Sequence, residues 1–333
     1  MNENEVAAIA RLKERFGQVK PATNGWVRIA CPTCHTKDRK KFKRYVRPDT
    51  LYSRCYICEI PMRRDELVGD SFIQVRNPLP ANYLEEVRKE HPMAKKLPGS
   101  RFTPVNKLEK DHPAVKFLHK DYLYDLDRYY NEYGIVYCPC DAGVTFNSKP
   151  FISSADRLIF PVKFKGEFVG WQMRSIPGTV YGDRSDVVKY YHLFNKGKVL
   201  FNYDSAKQHQ TVILVEGVKK ALKLQNAVAG FGKDVTETQV QLLSEWPNVI
   251  ICLDAQDVAQ TIGKRVEEVL RFNGNNALNV NLAPYGFPSP DEMTSDQLKF
   301  VLCNEWLIYE RSNDFRTGAA SPVFSGPLKA PHC

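Results

Sequence analysis

The sequence has no long hydrophobic run and no hydrophobic leader. No stretch of about 18 consecutive apolar residues occurs in it, which excludes a transmembrane helix of ordinary length. The N-terminus, MNENEVAAIARLKERF, has the pattern of a charged amphipathic helix and lacks the apolar core of a signal peptide. We therefore expect a cytoplasmic protein with no membrane partner.

Internal repeats and a nucleotide-driven motor are also missing. The phosphate-binding pattern G-x-x-x-x-G-K-[ST] does not occur, because GFGKD at 230–234 is too short to cradle phosphates. Nine cysteines in a chain of 333 residues without a secretion signal argue against a disulfide framework. These absences exclude a secreted disulfide scaffold and a P-loop ATPase.

Positive charge is abundant and unevenly distributed. The net charge is +9, and residues 1–66 alone hold 15 Lys/Arg against 8 Asp/Glu, a net of +7. A basic segment of this kind is typical of nucleic-acid binding. The length allows two or three domains, and a hydrophobic content of 43% is enough for a sizeable core.

Four of the cysteines form two C-x2-C pairs that are separated by twenty residues: Cys31, Cys34, Cys55 and Cys58. Each pair can present two thiolates to one tetrahedral zinc ion, so the spacing predicts a structural zinc site in a small β ribbon. His35 follows Cys34 directly and is an alternative ligand, although four cysteines already complete the tetrahedron.

Cations and aromatic rings alternate between the two cysteine pairs. The predicted nucleic-acid ligands in this segment are Lys40, Lys41, Lys43 and Arg44. Cations match phosphates, and the rings of Phe42 and Tyr45 can stack on unpaired bases. The alternative is a solvated basic hairpin whose rings pack the core of the ribbon.

Two apolar runs farther along the chain end on carboxylates. Residues 249–253 lead to Asp254, and residues 211–215 lead to Glu216. Continuous apolar runs are typical of central strands in a parallel α/β sheet, whose ligands bind at the carboxyl ends of the strands. Two converging carboxylates need a cation between them, and Mg²⁺ is the usual partner of phosphate chemistry. Alternatively, Asp254 caps the helix that follows it.

The middle of the chain contains a predicted hairpin and a cluster of lysines. In residues 157–176, two strands flank a turn at Lys165-Gly166, with Arg157 and Arg174 at the two ends. The segment KYYHLFNKGK then places three lysines around aromatic residues: Lys189, Lys196 and Lys198. These lysines are either phosphate ligands or ordinary surface charges.

Taken in order, these segments resemble the bacterial and bacteriophage DNA primases of the Toprim superfamily. The resemblance covers residues 25–295 and rests on the four cysteines, RLIFPV…GWQMR, KYYH…NKGK, VEG and the turn LDAQD. It implies a small N-terminal zinc-ribbon β domain, an α+β basic subdomain, and a Toprim α/β domain with a mainly parallel sheet. The expected divisions are a ribbon at 1–66, a linker at 67–105, the basic subdomain at 106–207, the Toprim domain at 208–310 and a loose tail at 311–333.

The resemblance also implies an activity, the Mg²⁺-dependent synthesis of short RNA primers from ribonucleoside triphosphates on single-stranded DNA. It assigns template binding and nucleotide binding to Arg157, Arg174, Lys189 and Lys196. Glu216 matches the family glutamate, and Asp254 matches the first aspartate of a D-x-D turn, so both would hold the catalytic Mg²⁺ or, alternatively, Mn²⁺. Because the chain has no motor, we expect it to act with a separate replicative helicase.

The sequence departs from the family pattern at three acidic positions. Lys220, Gln256 and Ser289 stand where the pattern has carboxylates. We expect Asp257 and Asp291 to compensate by reaching the magnesium ions through water. Alternatively, Asp291 is only an acidic residue at the N-terminus of a helix.

The missing carboxylates leave two further functions open. One is a non-catalytic protein that binds single-stranded DNA and serves as a replication or recombination mediator. The other is a Toprim nuclease, although the zinc ribbon and the KYYH…NKGK segment argue against it.

Overall fold

The computed structural model describes residues 3–32, 42–48, 51–58, 62, 67–68, 82–89, 96–118, 125–232 and 234–317. The chain divides into two compact units, Met1–Ala81 with Lys264–Ala277, and Asn82–Gly263 with Leu278–Cys333. None of the helices in these described ranges is both long enough and apolar enough to cross a bilayer.

The first unit combines a helix, Glu3–Phe16, with an antiparallel sheet that we call the ribbon sheet. The ribbon sheet consists of Lys20–Pro21, Val27–Ile29, Arg44–Val46 and Ser53–Cys55, in that order. Alternate residues of each strand face inward, so Val27, Ile29 and Val46 pack on Ala8 and Leu12 of the helix. This alternation gives the small unit its hydrophobic core.

The second unit contains an antiparallel sheet, the central sheet. Its described strands, in spatial order, are Tyr190–His192, Glu167–Ser175, Arg157–Phe164, Val136–Cys138 and Thr103–Pro104. The predicted hairpin is confirmed, because Arg157–Phe164 and Glu167–Ser175 pair around Lys165 and Gly166. Both turn residues have a positive φ, 52° and 78°, as a two-residue turn between twisted strands requires.

A second sheet in this unit, the parallel sheet, carries the two predicted acidic strands. Thr211–Val215 lies between Ala227–Ala229 and Asn248–Ile251 and runs parallel to both, and Asn276–Asn279 is next to Asn248–Ile251. The apolar residues of the three parallel strands are buried, as their continuous apolar patterns predict. The predicted mixed α/β class with a mainly parallel sheet is therefore confirmed.

Helices and short strands complete the described chain. The remaining helices are Tyr83–Lys89, Pro113–Leu118, Leu126–Asn131, Tyr203–Ala206, Val218–Ala221, Glu237–Leu243, Asp257–Phe272 and Ser295–Thr317. Short 3-10 turns lie at Thr23–Gly25, Val105–Lys107, Cys140–Ala142, Lys196–Lys198, Ala283–Tyr285 and Pro290–Glu292, and Thr145–Phe146 pairs with Ile152–Ser153. Ser295–Thr317 extends into the segment predicted as a loose tail from 311, because the helical backbone continues through 317.

Part of the segment predicted as a linker packs in the second unit. The Tyr83 ring meets Phe164 of the central sheet edge-on, with 6.1 Å between ring centroids, and its hydroxyl donates to the carbonyl of Lys198. The indole of Trp171 donates to the carbonyl of Lys96 at 3.0 Å. These contacts fix residues on both sides of the undescribed stretch 90–95.

Candidate functional site

Three of the four predicted zinc ligands lie together at one end of the ribbon sheet. The sulfur atoms of Cys31, Cys55 and Cys58 are all within 4.8 Å of one another, and those of Cys31 and Cys58 are 3.8 Å apart. A tetrahedral zinc with bonds of about 2.3 Å places its sulfur ligands roughly 3.8 Å apart, so the three thiols fit that ion. Cys34 and His35 lie outside the described residues.

Arg44 belongs to this cysteine cluster and is not a surface cation. Its side chain is fully buried, and the guanidinium donates to Cys31 Sγ at 3.3 Å and to Ser53 Oγ at 3.1 Å. Its inward position on Arg44–Val46 points it at the thiols, and its contact with nucleic acid stays a prediction. A cation there stabilises the negative charge that thiolate ligands carry.

The neighbouring residues do form an exposed basic and aromatic face. Lys43 is exposed, and Tyr45 meets Tyr56 edge-on with 4.8 Å between their ring centroids. The ammonium of Lys20 lies 4.2 Å from the centroid of the Phe42 ring. Lys40 and Lys41 lie outside the described residues, so their predicted role stays a prediction.

The parallel sheet brings the two predicted carboxylates together. Leu214 pairs with Ile251, so the strands that precede Glu216 and Asp254 end side by side. The side chains of Glu216 and Asp254 are 18% and 19% exposed. Burial raises the pKa of the Glu216 carboxyl, and the charge of Asp254 acts in the same direction against the opposing effect of Lys220. Two strand ends thus place two acids in one half-buried site.

Lys220 occupies the space that these two acids share. It lies on Val218–Ala221, the short helix that follows Glu216, and the residue is only 8% exposed. Its ammonium donates to Oδ1 of Asp254 and lies 3.7 Å from Oε2 of Glu216. The carboxylate of Asp254 therefore pairs with a lysine, instead of capping the following helix.

The other two predicted magnesium ligands do not join this pair. Asp257 is exposed at the start of Asp257–Phe272, and Asp291 Oδ2 lies 3.6 Å from the ammonium of Lys219. Within the described residues, the one set of three metal-ligating side chains with their ligand atoms close together is the cysteine cluster. An ion shared between Glu216 and Asp254 does not fit this arrangement, because the Lys220 ammonium already holds that position.

Arg157 is a structural residue of the central sheet. The side chain is fully buried and donates to the backbone carbonyls of Ser153, Val188 and Lys189. Burial, with a smaller effect from Arg174, lowers the pKa of Arg157 to about 10. Its guanidinium is enclosed and engaged by the backbone, and its contact with template or nucleotide stays a prediction that this placement does not support.

Arg174 is the centre of a row of cations and rings that leads toward the carboxylates. Its guanidinium carbon lies 4.6 Å from the centroid of Tyr190, which is 52% exposed, and 5.0 Å from that of Phe117. On the same ring of Phe117 lies the ammonium of Lys219, at 4.9 Å. The row of Tyr190, Arg174, Phe117 and Lys219 therefore ends on the short helix that also carries Lys220, the partner of the two acids. Rings and cations in this order suit bases and phosphates.

The Lys196–Lys198 turn is fixed to the end of the parallel sheet. Gln239 is fully buried, and its amide nitrogen lies 2.8 Å from the carbonyl of Lys196 and 3.1 Å from that of Gly230. The amide of Gly232 donates to the carbonyl of Glu216 at 2.8 Å. Lys196 is exposed and Lys198 is half-buried, and Lys189 is exposed on the central sheet. Sequence analysis did not identify Gln239, because one of its partners, Lys196, is 43 residues away.

Comparison with known proteins identifies primases among solved structures. The chain matches no protein-family profile, and no curated protein matches it by sequence. A crystal structure of the Aquifex aeolicus primase, containing zinc-binding and RNA polymerase domains, is 18% identical with a TM-score of 0.46, over 95% of this chain and 90% of that chain.

Two further structures are more distant. The RNA polymerase domain of the Mycobacterium tuberculosis primase DnaG is 14% identical with a TM-score of 0.44, over 65% of this chain and 85% of that one. The primase fragment of the bacteriophage T7 primase-helicase protein is 12% identical with a TM-score of 0.35, over 80% of this chain and 92% of that one. At these values the likeness supports no residue assignment, and the assignments rest on the geometry above.

Proposed function

We propose that the chain is a DNA primase, which joins ribonucleoside triphosphates into short RNA primers on a single-stranded DNA template. The observation that carries this proposal is the meeting of Glu216 and Asp254 at the carboxyl edge of the parallel sheet, beside the row of rings and cations. Nucleotides are held at this edge in open α/β sheets. Exposed cations on the same unit match the charge of a triphosphate and of the template backbone.

The chemistry needs a proton acceptor and a set of positive charges. A primer 3′-hydroxyl attacks the α-phosphate of the next nucleotide, the bond to the β-phosphate breaks, and pyrophosphate leaves. Glu216 has a raised pKa and accepts the proton of the attacking hydroxyl, while Lys189, Lys196 and Arg174 neutralise the phosphates. Magnesium enters with the nucleotide, as part of the Mg–triphosphate substrate.

The ribbon sheet supplies a second contact with the template. Lys43, Tyr45 and Tyr56 provide a cation and two rings on one face of a zinc-stabilised sheet. Such a face binds single-stranded DNA by phosphate contacts and by base stacking. We further propose that the protein works with a replicative helicase, because primer synthesis needs a template that has been unwound to a single strand.

One observation favours a second candidate function. The pairing of Lys220 with Asp254 partly neutralises the acidic site, as expected if catalysis has been lost. The protein would then bind single-stranded DNA as a replication or recombination mediator.

Primer synthesis by Asp254→Asn separates the two functions. The zinc-loaded protein is incubated with single-stranded DNA of varied sequence, labelled ribonucleotides and Mg²⁺, and short RNA is measured. As a primase, the wild-type protein makes RNA. Asp254→Asn removes the charge that holds Lys220 beside Glu216 and that raises the pKa of Glu216, so it lowers kcat by roughly a hundredfold or more with little change in DNA binding.

Asp141→Asn is the matched control, because Asp141 is an exposed acid of the same unit that pairs with Arg101. It should retain wild-type synthesis. DNA binding without RNA on any template would support the mediator, and full activity of Asp254→Asn would place the chemistry elsewhere.

A further inference from the structure

We infer that the Lys220 ammonium takes the place of a metal ion between Glu216 and Asp254, so that this pair of carboxylates binds no divalent cation of its own. The catalytic meaning of this inference rests on the proposed function. The binding statement itself concerns only these three side chains and is tested without any activity.

Contacts and burial support the assignment. The ammonium contacts Asp254 directly and lies 3.7 Å from Glu216, in a site where all three side chains are less than a fifth exposed. Two half-buried carboxylates repel each other unless a cation lies between them, and a buried ammonium is stable only when it is paired. Each group therefore supplies the partner that the others need.

A divalent ion and this ammonium exclude each other. An Mg²⁺ ion bound by Asp254 would lie about 2.1 Å from its oxygen, within the space that the Lys220 ammonium fills. At that separation, two positive charges repel strongly in a site with little water. Binding of the ion would require Lys220 to leave a buried pair and cross to solvent.

The surrounding sequence agrees with this substitution. Lys220, Gln256 and Ser289 bring no carboxylate to this part of the chain, and Lys220 brings a positive charge. Asp291, an acid that could have supplied charge, is turned to Lys219 at 3.6 Å. The one ammonium of Lys220 pairs with both remaining carboxylates, Glu216 and Asp254.

The short helix after Glu216 explains why Lys220 is the residue that fills the site. Glu216 directly follows the strand Thr211–Val215, and Lys220 lies four residues later, on the helix that comes next. Gly217 is extended, with φ of −127° and ψ of 154°, and Val218–Ala221 then turns back over the sheet edge. Lys220 thus reaches Asp254, which follows the neighbouring strand Asn248–Ile251.

Manganese binding tests this inference, with Mn²⁺ alone as the probe. The full-length, zinc-loaded protein is titrated with Mn²⁺, and bound ion is measured by electron paramagnetic resonance. The wild-type protein and Asp254→Asn should bind the same small amount. Lys220→Asp should gain one Mn²⁺ site whose Kd is at least tenfold lower than that of any Mn²⁺ site in the wild-type protein. The double variant Lys220→Asp with Asp254→Asn should lose this site again.

Lys220→Met and Lys219→Met form the matched pair, since both remove one ammonium from the same short helix. Lys220→Met should open a weak site and Lys219→Met should not. Wild-type Mn²⁺ binding that Asp254→Asn abolishes would overturn the inference, whatever the stability of the Lys220 variants. So would a folded Lys220→Asp protein that gains no site.

The outcome is separate from that of primer synthesis. If Mn²⁺ binds as expected but no template yields RNA, the proposed function fails and the assignment of Lys220 stands. If RNA is made and the wild-type protein binds Mn²⁺ through Asp254, the function stands and the assignment of Lys220 fails.

Discussion

Acidification should destabilise the second unit through His192, a residue of the central sheet. Burial, followed by the charge of Lys196, lowers the pKa of His192 to about 4. The amide nitrogen of Gln172 lies 2.6 Å from Nε2 of His192. An amide N–H can only donate, so the ring nitrogen accepts and the folded protein holds the histidine neutral.

The size and sign of the effect follow from the two pKa values. The unfolded chain has a histidine pKa of 6.5, above the folded value of about 4, so between these values the unfolded state binds more protons. The stability due to the neutral ring is complete above the unfolded pKa and is lost as the pH falls toward 4. From about pH 7.5 to about pH 5 the free energy of unfolding should fall by roughly 2 kcal/mol, at about 1.4 kcal/mol per unit.

Urea unfolding of the wild-type protein and of His192→Asn, followed by tryptophan fluorescence at both pH values, measures this effect. The wild-type protein should lose about 2 kcal/mol more than the variant, because asparagine does not titrate, and acid effects on the zinc site cancel in the difference. His209→Asn, which replaces an exposed histidine of the same unit, should follow the wild-type protein. An equal loss in the wild-type protein and His192→Asn would refute the reasoning.

Three further predictions concern the zinc site and two arginines of the central sheet, Arg174 and Arg157. Chelation of zinc, or Cys55→Ser, should abolish hydrogen-exchange protection in the ribbon sheet while the central sheet keeps its own, and unchanged protection would show that no metal stabilises the ribbon. Arg174→Ala should reduce the salt dependence of single-stranded DNA binding by about one phosphate contact with little loss of stability. Arg157→Met should leave the salt dependence unchanged but lower the free energy of unfolding by on the order of 3 kcal/mol, because three backbone carbonyls lose their donor. Equal effects of Arg174→Ala and Arg157→Met on the salt dependence of DNA binding would contradict this distinction.

The sheet edge with the two acids could be predicted from the sequence because its signal is local. Residues 211–215 and 249–253 are continuous apolar runs, which are typical of strands that are covered on both faces in a parallel sheet. Strand direction then places Glu216 and Asp254 at one edge. Likewise, Lys165-Gly166 between two strand patterns is a local turn signal, and the structure has the hairpin there.

The roles of individual cations could not be predicted in the same way. Arg44 and Arg174 both lie in strands rich in charge and rings, yet Arg44 faces the thiols and Arg174 faces Tyr190. Which face a strand residue takes depends on register, and a shift of one residue reverses it. Arg157 shows the limit most clearly, because its partners Val188 and Lys189 are about thirty residues away, on a segment with no pairing signal of its own.

Lys220 has one partner that is local in sequence and one that is distant, and its interpretation changes once it is placed in the structure. In the sequence alone, Lys220 is a missing carboxylate, and a missing carboxylate argues for a site that is not catalytic. The contact with Glu216 is local, because Glu216 stands four residues before Lys220, at the end of the preceding strand. What the sequence could not supply is the second partner, Asp254, which is 34 residues away and meets Lys220 only because two parallel strands are neighbours. With both partners present, the lysine neutralises the acids and holds them in place, so the site is differently charged, and primer synthesis by Asp254→Asn decides whether it is catalytic.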